Sequence, residues 1–184
     1  MRRIFNRSLS RALTILTLSG LIILGQGFEI RMAQASDEGD PALADPQPTS
    51  LKAGLATRYY VKLFRTVEEL KDWAKYKDGT VGDPIHSLNY RSGVDSVLTS
   101  GQEDGVGAHI TGYIRFEEAG THSIAAQSND GLVVVIGGRT VVYDPDVHAD
   151  RYSQPVEVEI KKAGWYPLDV WYFERKNTST LRLY

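Results

Sequence analysis

The chain contains no cysteine. That single absence excludes disulfides, thiolate metal sites and a lipid-modified N-terminal cysteine, so a folded domain here must be held by its apolar core alone. Histidine is scarce as well: His86, His109, His122 and His148 are scattered, with no paired-histidine metal motif. There is no phosphate-binding glycine loop and no nucleophile elbow. The acid pairs Glu103-Asp104 and Glu117-Glu118 sit in turn-like contexts where solvation accounts for them. The sequence therefore carries no catalytic signature and reads as a non-enzyme. It also lacks an apolar run long enough to span a bilayer: "ALTILTLSGLIILG", residues 12–25, falls short of the roughly 20 residues a membrane-crossing helix needs.

What that run does fit is the h-region of a secretion signal. Four arginines and no acid precede it in "MRRIFNRSLSR", and the small-residue site Ala33-Gln34-Ala35 follows. Residues 1–35 are expected to be a signal peptide cut after Ala35; Glu29 and Arg31 lengthen its c-region, and an uncleaved membrane anchor is the alternative. Cleavage removes five basic residues and one acidic residue, leaving 16 Lys+Arg against 22 Asp+Glu, a net charge of -6. Such a balance disfavours nucleic acid and anionic membrane surfaces as partners. Residues 36–50, "SDEGDPALADPQPTS", hold four acids, three prolines and almost no large apolar side chain, which predicts a disordered tether.

From Leu51 onward short segments are punctuated by Gly, Asn and Asp. "HITGYIRF" places Ile110, Gly112, Ile114 and Phe116 on one face and His109, Thr111, Tyr113 and Arg115 on the other, while "VEVEIK" sends Val156, Val158 and Ile160 one way and Glu157, Glu159 and Lys161 the other. Alternation of period two predicts antiparallel strands with one wet face. "LVVVIGGRTVVY" reads as a hairpin turning at Gly137-Gly138. Further strands are expected over 54–64, 85–90, 120–128, 165–174 and 179–184. The fold class is mainly β: an antiparallel sandwich or barrel of eight to nine strands, residues 51–184, with one short helix at "TVEELKDWAKY" plugging an end. There Thr66 and Glu69 form a capping box, and Val67, Leu70, Trp73 and Ala74 recur at helical spacing, with Trp73 read as a core anchor.

Five fragments resemble, in order, the protective-antigen fourteen-kilodalton domain, a β-sandwich module of secreted lectins, adhesins, glycosidases and toxins. They are "GLATRYY", "TGYIRFEEAGTHSIAAQSNDG", "VVVIGGRTVVYDPDVH" and the two strands of "KKAGWYPLDVWYFERKNTSTLRLY", together spanning residues 53–184. In lectin members of that family, two consecutive aspartates joined by a cis peptide hold a calcium ion that accepts two sugar hydroxyls. Calcium suits this because it takes six to eight oxygens in flexible geometry. Asn129 stands at the first of those positions and Asp130 at the second, so one formal charge is missing.

The resemblance implies an exported, non-catalytic carbohydrate-binding module of the periplasm or cell envelope, calcium-assisted, with a glycan or envelope polysaccharide as partner. The implied ligand-binding residues are Asn129, Asp130, His148 and Trp171. A Ca2+ site would draw on Asn129, Asp130, Asp144 and Asp146. Two alternatives stand beside this. Ser128-Asn129-Asp130-Gly131 reads equally as an ordinary turn satisfying local backbone donors, and "VVYDPDVHAD" as a solvated acidic loop. The domain could also have lost the ion and dock a protein partner as a structural adaptor. The aromatics Trp165, Trp171, Tyr172 and Phe173 share one strand and split between faces, so part of them must be core.

Overall fold

A computed structural model describes residues 39–93 and 95–184. The signal segment and the first residues of the expected tether lie outside the described residues. Twelve strands and one helix are present among those described: β1 Leu55–Val61, α1 Val67–Ala74, β2 Thr80–Ile85, β3 Asn89–Ser92, β4 Val106–Phe116, β5 Gly120–Ile124, β6 Ala126–Ser128, β7 Leu132–Ile136, β8 Arg139–Asp144, β9 Arg151–Tyr152, β10 Val156–Ile160, β11 Gly164–Glu174 and β12 Ser179–Leu183. They pair into a six-stranded sheet ordered β2-β1-β4-β11-β7-β8, a four-stranded sheet ordered β3-β12-β6-β9, and the ladder β10-β5. All of the pairings are antiparallel, and none of the sheets closes on itself, which decides for the sandwich over the barrel.

The central pair is β4 with β11, in register from Gly164 opposite Phe116 to Glu174 opposite Val106. Its inner face carries Val106, Ala108, Ile110 and Phe116 from β4 and Tyr166, Leu168, Val170 and Tyr172 from β11, all buried in the main core. The facing expected for "HITGYIRF" holds, as does that of β10, where Val158 and Ile160 are fully buried and Glu157 and Glu159 exposed. Burying each such side chain contributes about 1.5–3 kcal/mol.

The strand count is higher than expected for three reasons: the strand expected over 85–90 instead spans the turn between β2 and β3, the short β9 has no alternating signal, and the run 120–128 is two strands. Its first half, β5, pairs with β10, and its second half, β6, pairs with β12 and β9. The chain changes ladders at Ala125, whose N–H donates to Tyr184 O at 3.1 Å.

The helix forms as its capping box predicts. Thr66 Oγ1 accepts from Glu69 N–H at 3.1 Å, and Glu69 Oε2 accepts from the Arg65 N–H at 2.8 Å. It does not plug an end of the sandwich. Val67 and Leu70, both fully buried, lie against Tyr60, Phe64, Val133 and Phe173, so α1 covers part of the outer face of the six-stranded sheet. Trp73 is half-buried at the margin of this second cluster, with the Lys62 ammonium 4.4 Å from its ring centroid.

The tether expected over 36–50 is a strap along its described half. The Ala42 N–H donates to Gly137 O at 2.8 Å and the Ala44 N–H to Trp165 O at 3.0 Å. Gln47 brackets Trp165, donating from Nε2 to its carbonyl at 3.0 Å and accepting its N–H at 2.9 Å. Pro41 and Ala44 are buried and Leu43 packs against the main core, so these few apolar contacts, together with hydrogen bonds to which composition is blind, hold the strap in place. The close approach also explains Gly137. Its φ is +55°, as the hairpin turn requires, and a Cβ there would stand 2.5 Å from Ala42 N and O.

Candidate functional site

The tetrapeptide Ser128-Asn129-Asp130-Gly131 is neither a hairpin turn nor an open cradle. Ser128 ends β6 in the four-stranded sheet and Leu132 begins β7 in the six-stranded one, so these residues turn a corner between the sheets. The corner is tied to three other segments by backbone hydrogen bonds. The Asn129 N–H donates to Thr180 O at 3.1 Å and the Asp130 N–H to His148 O at 2.9 Å, while Gly131 O accepts from Phe173 N–H at 3.0 Å. Asp130 adopts φ +61° and is only 4% exposed, its Oδ2 accepting the Arg175 N–H at 2.9 Å. Burial raises its pKa against the pull of backbone donors of Arg175 and His148. Gly131 is obligatory by contact: a Cβ would meet the Phe173 ring at 2.3 Å and Pro145 O at 2.5 Å.

The loop 144–150 packs beside this corner. Asp144 is clamped by the Arg151 guanidinium, whose Nε donates to Oδ2 at 3.0 Å while Nη2 bonds Oδ1, and His148 Nε2 lies 3.1 Å from Oδ2. Burial alone would raise the Asp144 pKa. The hydrogen bonds from His148 and Arg151 outweigh it and bring the value down to about 2. The His148 side chain is 5% exposed and its Nδ1 is 2.9 Å from Ala149 O. Asp150 accepts from Gln127 Nε2 at 3.0 Å and lies 3.3 Å from the Arg91 guanidinium, pinning the loop to the four-stranded sheet. Asp146 is exposed and bridges to Thr66 at the helix start.

Asn129, Asp130, Asp144 and Asp146 therefore do not gather as a calcium shell. Arginine and histidine already neutralise Asp144, Asp130 spends one oxygen on a backbone cap, and Asp146 points its segment toward α1. Among the described residues no group of three or more His, Asp or Glu side chains could hold a metal ion. The Asn129–Asp130 bond is trans, the sole cis peptide among the described residues being Asp45–Pro46. The acids stay apart for a geometric reason: alternate-residue spacing would put Asp144, Asp146 and His148 on one face of a strand, but the strand stops at Asp144 and the chain turns at Pro145. Asp130 and His148 brace the corner from inside, where neither side chain faces solvent.

Glu174, at the end of β11, was legible only as the last letter of Tyr-Phe-Glu. It is fully buried, and both carboxylate oxygens lack hydrogen-bond partners among the described residues, as does the buried Tyr172 hydroxyl. Burial, followed by repulsion from Asp104 and Asp130, pushes its pKa up to about 7. Asp104, expected to be a solvated turn acid, accepts the Asn177 N–H at 2.8 Å beside it.

Trp171 is on the opposite, outer face of the six-stranded sheet and belongs to a different constellation. Cross-strand pairing sets it against His109, and the two rings stack with centroids 3.8 Å apart and planes 11° from parallel. His109 Nε2 lies 3.1 Å from Asp169 Oδ2, and the Lys71 ammonium of α1 is 5.8 Å from the Trp171 centroid. Trp171, Asp169 and Lys71, together with Thr111, Tyr113 and Pro167, line an open groove of about 690 Å³ where α1 stops covering the sheet. His109, Thr111, Tyr113 and Asp169 alternate outward on β4 and β11. The period-two pattern had put the β4 residues on the wet face, but only pairing across strands joins them to Asp169 and Trp171.

The sequence model of the PA14 domain matches residues 91–184. The chain belongs to the PA14 domain family. The match begins in β3, yet β1 and β2, upstream of it, complete the six-stranded sheet, and α1 covers part of that sheet's outer face. No curated protein matches the chain by sequence. Among solved structures, the PA14 domain of the MpAFP antifreeze protein is 18% identical with a TM-score of 0.62, covering 77% of this chain and 86% of that one. The PA14 sugar-binding domain from an RTX adhesin is 16% identical with a TM-score of 0.57, covering 72% and 89%. The Epithelial Adhesin 9 A domain from Candida glabrata, solved with Galβ1-4GlcNAc, is 14% identical with a TM-score of 0.57, covering 78% and 86%. At these identities the likeness is one of fold: the PA14 sandwich.

Proposed function

We propose that this PA14 domain is an exported, non-catalytic carbohydrate-binding module that holds a glycan in the outer-sheet groove at Trp171, Asp169 and Lys71. One observation carries the reading. A half-buried indole, a carboxylate and an ammonium converge on an open groove whose floor is a rigid antiparallel sheet. Pyranoses need this combination: their apolar faces pack on aromatic rings while their hydroxyls bond both to acceptors and to donors. Asp169 supplies acceptors, Lys71 donors, and Thr111 either. His109 stacked on Trp171 holds the ring in one orientation before ligand arrives, which lowers the ordering cost of binding. Relatives of this fold that bind sugars, the RTX adhesin domain and the Candida glabrata adhesin with Galβ1-4GlcNAc, support the ligand class. The arginine-rich start and the Ala33-Gln34-Ala35 site support export. The corner at Asn129 and Asp130 acts here as scaffold, and no step is assigned to a bridging ion.

Titration calorimetry with Galβ1-4GlcNAc and a panel of other oligosaccharides tests this. Lys71→Ala and Asp169→Ala should each lower affinity at least tenfold, about 1.4 kcal/mol, while Asn129→Ala leaves it unchanged. Affinity lost with Asn129→Ala and kept in the groove variants would move the sugar to the corner. No heat with any oligosaccharide would overturn the reading in favour of the adaptor.

A further inference from the structure

A second groove, of about 860 Å³, opens between the segment Leu51–Ala56, the β2–β3 turn and the far ends of β4 and β11. It differs from the first in chemistry. Its walls are Leu55, Ile85, Leu88, Ile114, Leu168 and Leu183, all belonging to or packed against the main core, so here the core itself reaches water between the sheets. The volume lies within the roughly 300–1,000 Å³ of small-molecule sites, and such sites combine apolar walls with a few polar groups. Ser87, Asn89, Thr111 and Tyr113 supply neutral polar groups, and the ionisable groups are one-sided: Lys52 and His86 stand at the mouth and, among the described residues, no Asp or Glu lines the groove, although acids outnumber Lys and Arg in the chain, 23 against 21. Lys52 and His86 are both exposed, and Leu51 beside them is 42% exposed.

An apolar slot with a cationic, acid-free mouth complements a molecule that is a hydrocarbon chain at one end and an anion at the other. We infer that this groove binds a single-chain anionic amphiphile of the fatty-acid type, its acyl chain between Leu55, Ile114 and Leu168 and its carboxylate at Lys52. Trp165 lines the groove and places a fluorophore at the site.

The test uses the purified chain with octanoate, decanoate and laurate, each below its micellar concentration, followed by calorimetry and by quenching of tryptophan fluorescence with a brominated fatty acid. Saturable binding of one molecule per chain is expected, with affinity rising about fourfold per added methylene until the groove is full. Lys52→Glu should weaken laurate at least tenfold, and dodecanol and dodecyltrimethylammonium should bind correspondingly less well. Ala53→Trp, at an exposed position on the rim, should abolish binding by filling the slot, and Trp165→Phe should remove most of the quenching. Asp169→Ala, in the other groove, should change nothing. Absence of saturable binding overturns the inference. So does laurate affinity insensitive to both Lys52→Glu and Ala53→Trp, or equal affinity for the cationic amphiphile. Displacement of laurate by an oligosaccharide would return the groove to the glycan site.

Discussion

Replacing Glu174 with glutamine should make the domain more stable at alkaline pH, the reverse of the usual result for a buried polar position. The carboxyl is fully buried at the end of β11, without a hydrogen-bond partner among the described residues, and burial pushes its pKa up to about 7 from an ordinary value near 4.5. Below the unfolded value both states hold the proton and the residue costs nothing through ionisation. Between the two values the unfolded chain releases its proton while the folded chain keeps it, so stability falls by up to about 1.4 kcal/mol per pH unit. Above the folded value both are ionised and the loss levels off at about 3 kcal/mol, a large part of the 5–15 kcal/mol typical of a domain. Stability is thus fully present in acid and lost as pH rises through about 7. Between about pH 5 and about pH 8 the wild type should lose roughly 2–3 kcal/mol that Glu174→Gln retains. Urea unfolding of both proteins across that window measures the difference directly, and subtraction removes the other titrating groups, including the raised Asp130. Parallel curves for the two proteins, or a glutamine variant less stable throughout, would refute the reasoning.

Phe116→Ala should cost about 3–5 kcal/mol, since the ring is 7% exposed and meets Tyr166 edge-on at 5.4 Å, while Arg115→Ala on the outward face should cost less than about 0.5 kcal/mol; denaturant melts decide. Gly131→Ala should destabilise by about 1–3 kcal/mol through overlap with the Phe173 ring and Pro145 O, read as a lowered melting temperature. Asp144→Asn removes a carboxylate whose pKa is depressed to about 2. Its stabilisation is present above the ordinary value near 3.8 and lost as pH falls through 2, so the variant should be weaker at neutral pH and converge with wild type in strong acid. Millimolar calcium should leave the melting temperature of wild type unchanged, because Asp144 is already neutralised by Arg151. A calcium-dependent rise abolished by Glu174→Gln would instead place a cation among Asp104, Asp130 and Glu174.

Much of this architecture was legible in the chain because its signals are local. The facing of β4 and β10 follows from side-chain alternation, the hairpin from two adjacent glycines able to take positive φ, and the start of α1 from Thr66 and Glu69 three residues apart. Each depends on neighbours within a few positions, where covalent geometry leaves few choices. The order of the quoted fragments carried the family for the same reason.

The sites were decided elsewhere. Asp130 and Gly131 look like a turn in any local reading; that they cross between sheets, with Asp130 capping Arg175 across 45 positions, is a matter of which ladder each strand joins. Asp144, Asp146 and His148 share a face only if the strand continues, and Arg151 wins Asp144 because a bidentate guanidinium is on hand once the loop folds back. Glu174 gains its unusual pKa from burial, and Trp171 and Asp169, which share a face of β11 by alternation, meet His109 and Lys71 only through the register of β4 on β11 and the seating of α1. Local sequence determined which strands, turns and caps could form; long-range pairing, whose energetics depend on partners far along the chain, determined what those side chains face.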